Sequence, residues 1–497
     1  MSVCALAHAE RPCELGQNKS REGFAMLCRR TVVMGLAASA SLRLTAQAQN
    51  PPASGPRDDA AARTVVQLQR RNIAVNGKPA SVYGIRQPDG SFGITTDVGK
   101  PFRVRVENRI EEPSLIHWHG LTPPWQQDGV PGVSGPPIPP GGSADYDFPL
   151  RFGGTFWMHS HQGLQEQLLM AAPLIIRDQR DRPDQQEVVV ELADFSFTPP
   201  QQIFEQLKKP KPMANMAGPG ATTPGAAAPD LNDVKYDAFL ANGRTLADPE
   251  VVKVEPGGQV LLRIINGSAM SAYHIDLGQL KGELVAVDGF PIAPAVGGRF
   301  PIAVAQRLDI RLTVPRDAGA HPALALLEGA RSQTGIVLAA GTAPIARIPE
   351  LAESTSPALT LELESSLRAT DPLKQRNPDR VHTLNLTGEM AKYIWSINNV
   401  AWTPDVPPLP IAKGERVELV LVNQTGMPHP MHLHGHEFQV VEIDGKRFPG
   451  AVRDTVLVTP NRRVVIAFDA NNPGTWAFHC HLLYHLDAGM FTTLQYV

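Results

Sequence analysis

The chain has 497 residues, enough for roughly three domains of ordinary size. Its 46 basic and 49 acidic residues leave a formal net charge of -3, which gives no reason to expect a nucleic acid or an anionic membrane as partner. With 42% apolar and 19% charged residues global disorder is excluded, and 42 glycines with 46 prolines imply many turns, as in an all-β chain.

The first element is a leader. Cys28-Arg29-Arg30-Thr31-Val32-Val33-Met34 places two arginines before an apolar, small-residue stretch from Val32 to Leu42. Ala46-Gln47-Ala48 then offers small residues for cleavage. The pattern predicts a twin-arginine (Tat) signal within residues 1–48, cut near Gln49, with the Tat export machinery as a partner and the bacterial periplasm as destination. The apolar stretch is too short for a stable membrane insertion. The unusual length before Met26 points to Met26 as the true start, and residues 49–63 read as a disordered lead-in. The cysteines are Cys4, Cys13, Cys28 and Cys480. Removing the leader leaves one thiol, so no disulfide can form within a mature chain.

The remainder repeats one β unit three times. A turn opens each copy: Val75-Asn76-Gly77-Lys78, Ala241-Asn242-Gly243-Arg244 and Ile397-Asn398-Asn399-Val400. A glycine turn and an alternating strand follow, and each strand ends in Asn, at Asn108, Asn266 and Asn423. Eight or nine residues later comes a histidine, at His117, His274 and His432. Units one and three also share a second half, Gly154 to His161 matching Gly474 to His481. The reading is all-β: three tandem antiparallel β-sandwich domains at 64–180, 185–343 and 355–497. A Pro/Gly/Ala-rich flexible loop is expected at 208–233, inside the second.

The 15 histidines should form His-x-His roughly 0.45 times by chance, whereas the pattern occurs five times. In a strand, residues i and i+2 face one side with Cβ atoms ~6.5 Å apart, so each pair offers two imidazoles together. Four pairs, two in each terminal domain, could enclose a metal cluster. In His479-Cys480-His481 the imidazoles face one way and the thiol the other. His485 and Met490 follow that thiol by five and ten residues, and His429 lies upstream, just before His432. Two His, one Cys thiolate and a weak axial Met form a blue-copper electron-transfer site.

His117-Trp118-His119-Gly120, Trp157-Met158-His159-Ser160-His161, His429-Pro430-Met431-His432-Leu433-His434-Gly435 and His479-Cys480-His481-x3-His485-x4-Met490 resemble the four copper motifs of the multicopper oxidases, the family of laccases and copper-handling oxidases. The likeness extends over about residues 64–497. It implies cupredoxin-like Greek-key domains and four copper ions per chain: one type 1, one type 2 and a type 3 pair. Carried over by residue, type 1 copper takes His429, Cys480 and His485 with axial Met490. Type 2 copper takes His117 and His432. The type 3 pair takes His119, His159, His161, His434, His479 and His481. A reducing donor gives electrons at type 1 copper, Cys480 passes them to His479 and His481, and O₂ becomes water at the cluster. The donor is a small molecule (a phenol or aromatic amine) or a metal ion, and the chain is expected to be a monomer.

His436 has no ligand counterpart and is expected to hydrogen-bond nearby. Ser160 occupies the slot of Cys480, so domain one should lack a type 1 site, and His274, His321, His382 and His8 read as structural. Asp128 resembles the family's aspartate beside the type 2 water. The acids that relatives carry after this motif are replaced by Leu486 and Leu483, which leaves the proton path to O₂ open; Asp487 is nearby without an assigned role. Only Met213 and Met216 lie in the expected loop, unlike the Met-rich insertions of dedicated Cu(I) oxidases. Two alternatives compete: a dedicated Cu(I) or Mn(II) oxidase in metal homeostasis, and a copper-free structural relative of the cell-division type, against which the complete ligand sets argue. The paired motifs also argue against a two-domain copper nitrite reductase.

Overall fold

The computed structural model describes residues 63–209 and 231–497. The leader, the residue-49 cleavage site and residues 210–230 of the Pro/Gly/Ala-rich stretch lie outside them. The described residues form three consecutive pairs of β-sheets. Short helices occur at Pro200–Leu207, Glu362–Ser366 and Leu483–Asp487.

The three turns fold alike. Both central residues are left-handed in each: Asn76 (φ 49°) and Gly77 (φ 78°), Asn242 (φ 52°) and Gly243 (φ 78°), Asn398 (φ 54°) and Asn399 (φ 61°). That is the type I′ geometry whose twist suits a hairpin, and Asn tolerates it better than other side chains. The first turn joins Thr64–Val75 to Lys78–Arg86, with Val75 opposite Lys78.

Pairing departs from the purely antiparallel expectation in the same two places of each domain. The first long strand runs parallel to the strand ending in the repeated Asn: Thr64–Val75 with Pro101–Asn108, Gln185–Phe195 with Gln259–Asn266, Arg380–Glu389 with Arg416–Asn423. In the facing sheet a short strand runs parallel to the last: Ile94–Asp97 with Ala171–Arg177, Val251–Val254 with Gln333–Ala340, Leu409–Ile411 with Phe491–Tyr496. Parallel neighbours need a crossover rather than a hairpin. Here the chain supplies it by leaving one sheet, contributing to the other and returning. This is the Greek-key sandwich of the cupredoxin type, three times over.

Apolar side chains fill the space between paired sheets. Pro101–Asn108 buries Phe102, Val104 and Val106 at period two, against Trp118 and Phe148. Roughly 1.5–3 kcal/mol accompanies full burial of each such side chain. The same packing fixes the face on which neighbouring histidines must emerge.

Candidate metal centre

The repeated asparagines shape the loops that deliver the histidines. Asn108, Asn266 and Asn423 are almost wholly buried. Each side-chain oxygen accepts from the backbone N–H two residues on, at Ile110, Ser268 and Thr425. Each Nδ2 donates across the loop, to Glu112 O (2.9 Å), Ser271 O (2.9 Å) and Met427 O (2.8 Å). Both polar ends of a buried amide are thereby satisfied, and the loop is closed. Strand Ile116–His119 then pairs with Gly154–Ser160 so that His117 stands opposite His159. Strand His429–Leu433 pairs with Thr475–Cys480 so that His432 stands opposite His479.

The histidines of the first and third domains meet in one buried cluster. His117 Nδ1 donates to Asp128 O and His432 Nδ1 to Asp454 O, both at 2.8 Å. His434 Nδ1 donates to Asp128 Oδ2, and His479 Nδ1 to Cys480 O, both at 2.9 Å. Each ring therefore turns an Nε2 lone pair inward. There His117 Nε2 lies 3.3 Å from His432 Nε2, and His479 Nε2 lies 3.3 Å from His161 Nε2 and 2.9 Å from His434 Nε2. His119 is reversed. Its Nε2 faces Asp454 Oδ1 (3.0 Å) and Thr455 Oγ1 (3.2 Å), while its Nδ1 lies 3.4 Å from His159 Nε2.

Burial first, and neighbouring imidazoles second, hold His119, His159, His161, His432, His434 and His481 well below the usual imidazole value. Burial pushes His479 down to about 4. Lone pairs so close together, with protons committed outward, repel one another unless a cation lies among them. His481 Nε2, buried and without a hydrogen-bond partner, points to the same need. The donor set thus fits metal.

A second donor set lies behind the first on the same strand. Cys480 Sγ is 3.6 Å from His429 Nδ1 and 3.9 Å from His485 Nδ1, and these two nitrogens are 3.3 Å apart. Thr425 Oγ1 occupies the other nitrogen of His429 (2.8 Å), and Asp233 Oδ2 that of His485 (3.0 Å). Both rings therefore turn Nδ1 toward the sulfur. Burial pushes the Cys480 thiol up, so a cation must displace its proton to bind there. Trp395 stacks on His485 at 3.9 Å, closing the site against water. Met490 is buried, and its backbone oxygen accepts from Cys480 N–H at 3.0 Å.

Three models of the multicopper oxidase family match the chain, over residues 67–181, 187–340 and 375–497. The chain belongs to the multicopper oxidase family. Multicopper oxidase MmcO of Mycobacterium tuberculosis is 32% identical over 481 residues, covering 93% of this chain and 92% of the relative. A copper resistance protein A homolog of Pseudomonas syringae pv. tomato is 29% identical, covering 94% of this chain and 98% of the relative. Among solved structures, Fet3p, a multicopper oxidase that functions in iron import, superposes with a TM-score of 0.73 at 22% identity, over 87% of this chain and 90% of its own. The laccase from Botrytis aclada gives 0.71 at 22% identity, over 88% of both chains. These two likenesses show the shared fold. As a multicopper oxidase the protein is a copper-dependent oxidoreductase with O₂ as acceptor.

Of the residues read from sequence, Asp128 stands against the cluster as described, its Oδ1 also lying 3.3 Å from His117 Nδ1. His436 bonds His434 O (3.2 Å) and Tyr496 OH (2.7 Å). His274 bonds Pro357 O (3.1 Å), and Ser160 donates to Gln165 Oε1 (2.7 Å). His382 bonds Pro410 O (3.0 Å). Three carboxylates escaped sequence reasoning: Asp454; Glu166, whose Oε2 is 2.8 Å from His159 Nδ1; and Asp233. Only Glu166 carried a findable signal, an acid five residues after His161 in the same turn.

Asp128→Ala should weaken copper retention about 10–100-fold, the usual cost of removing a carboxylate that orients a metal-bound histidine. Chelator competition on the copper-loaded multicopper oxidase measures it.

Proposed function

We propose that this multicopper oxidase couples one-electron oxidation of a reducing donor at a type 1 copper to four-electron reduction of O₂ to water at a three-copper cluster. The observation that carries the reading is a single strand serving two donor sets: Cys480 faces His429 and His485, while His479 closes on His161 and His434. In this reading His429, Cys480, His485 and Met490 would hold the type 1 copper. His117 and His432 hold type 2, and His119, His159, His161, His434, His479 and His481 hold the type 3 pair. When bound, copper supplies the one-electron redox chemistry that these side chains lack.

The chain's own residues do the rest. Cys480 offers a short covalent route from its sulfur through the backbone to His479 and His481. Asp128 fixes which nitrogen His117 and His434 present, and Asp454 does so for His119 and His432, so little rearrangement of these rings accompanies binding. Trp395 and Asp233 shield His485.

Beside the Cys480 site, Asp233, Met270, Met427 and Pro428 line a cavity of about 20 Å³. That is room for about one water-sized species, not for an aromatic ring. Two thioether residues and a carboxylate suit a soft cation. At this cavity a metal ion, Cu(I) foremost, fits as donor where a phenol or aromatic amine does not; the cavity of about 570 Å³ beside Leu483, Leu486 and Asp487 has room for either. The relatives named for copper resistance support the same reading. Tat export to the periplasm and a monomeric state belong to this proposal. Among the described residues no helix is long and apolar enough to cross a membrane.

The test is copper loading of the mature chain followed by O₂ uptake with Cu(I), Mn(II), a phenol and an aromatic amine. Four coppers per chain and an intense blue colour are expected, with Cu(I) the fastest donor. A chain that binds no more than a single copper defeats the oxidase reading. Uptake driven by phenol but by neither metal ion defeats the donor reading.

A further inference from the structure

We propose that Arg307, from the middle domain that supplies none of the proposed ligands, is a positioning residue for the copper cluster: it locks Asp454 so that His119 can offer only Nδ1 to metal. The inference rests on the function proposed above.

Arg307 is fully buried. A guanidinium has five N–H donors in a rigid plane, and here each finds an acceptor. Nε donates to Thr155 O (3.1 Å) in the first domain. Nη1 donates to Ala305 O (2.9 Å) and to Asp454 Oδ1 (2.8 Å). Nη2 donates to Asp288 O (3.0 Å) and to Asp454 Oδ2. The side chain thus joins all three domains and has no freedom left.

Asp454 receives that fork and passes its orientation on. Oδ1 also takes the Nε2–H of His119 (3.0 Å) and the hydroxyl of Thr455 (2.9 Å). The backbone oxygen of the same residue takes Nδ1–H of His432 (2.8 Å). One residue therefore commits opposite nitrogens of two rings, Nε2 on His119 and Nδ1 on His432. If Asp454 rotated, His119 Nε2–H would keep only the longer contact to Thr455 Oγ1 (3.2 Å), a hydroxyl that Asp454 Oδ1 itself holds in place. The bidentate contact with Arg307 prevents the rotation. This gives the middle domain a part in metal binding although His274 bonds a peptide carbonyl instead.

The alternative is that Arg307 merely glues domains together. Arg263 provides the matched comparison. It is likewise buried at the junction of the first two domains, donating to Thr155 Oγ1 (3.0 Å), Asp309 Oδ2 (2.9 Å) and Glu187 Oε1 (2.8 Å). None of these acceptors bonds a cluster histidine.

The experiment compares the full mature chain with Arg307→Lys, Asp454→Asn and Arg263→Lys. Each is copper-loaded, titrated with a chelator, and followed by copper content, by the blue band of the Cys480 site and by melting temperature. Arg307→Lys keeps the charge but cannot fork. Asp454→Asn keeps the shape but sets an amide N–H against a donor. Both should lose cluster copper about 10–100-fold more readily than wild type while the blue band persists. Arg263→Lys should melt lower yet retain its copper. Unchanged retention in Arg307→Lys and Asp454→Asn overturns the inference, and so does an equal loss in Arg263→Lys. If Arg307→Lys does not fold, Asp454→Asn decides alone against Arg263→Lys. Wild type that takes up no copper refutes instead the oxidase reading.

Discussion

Cys480→Ser removes the blue absorption and brings donor oxidation to background, while the chain remains folded. The sulfur is the only soft anionic donor in its site, 3.6 Å and 3.9 Å from the two imidazoles. A serine hydroxyl is smaller, harder and protonated at neutral pH, so it keeps the side chain's shape but cannot supply the thiolate bond proposed for copper. No other cysteine stands among the described residues to rescue it. The cluster histidines keep their orienting contacts, because the backbone oxygen of residue 480 still accepts from His479. Copper should therefore persist in the cluster, and visible absorption, metal content and O₂ uptake together separate the two sites. A serine variant that stays blue contradicts the assignment of Cys480.

Gly129→Ala should produce the largest loss of stability by a single methyl group, about 3–5 kcal/mol. Gly129 has φ +89°, where an L side chain is strained. A Cβ there would also stand 1.9 Å from Ile116 O and 2.5 Å from Ile116 C. Backbone cannot turn aside as a rotamer can. The strand that must yield is Ile116–His119, which carries two cluster histidines. Loss of copper should accompany loss of stability. Gly132→Ala is the control, with φ +74° and nothing within 4 Å of the added carbon, so only the conformational cost remains, about 1 kcal/mol. Denaturant unfolding of the copper-free chains measures both, and similar losses in the two variants would contradict the steric argument.

What could be read in the sequence was local. His117 and His119, or His479 and His481, announce a shared face because strand periodicity is two, whatever the rest of the fold does. The turns at Asn76, Asn242 and Asn398 were legible for the same reason: left-handed backbone needs particular residues. Asp454 was not legible. It bonds His119 across 335 positions, and Arg453-Asp454-Thr455 has no spacing that marks it. Asp233 reaches His485 across 252 positions from the edge of a segment whose composition suggested only a loop. The parallel pairings were missed because alternation along a strand is silent about the direction of its neighbour.

The three buried asparagines have a broader consequence. In the middle domain, Asn266 closes its loop with the same bonds as Asn108 and Asn423, yet the loop ends on a histidine facing a peptide carbonyl. Backbone shape and metal affinity are therefore inherited separately. A duplicated domain of this kind can lose its ions through a few side-chain exchanges and still fold. The reverse exchange gives a protein engineer a ready place to write a new metal site into an existing loop.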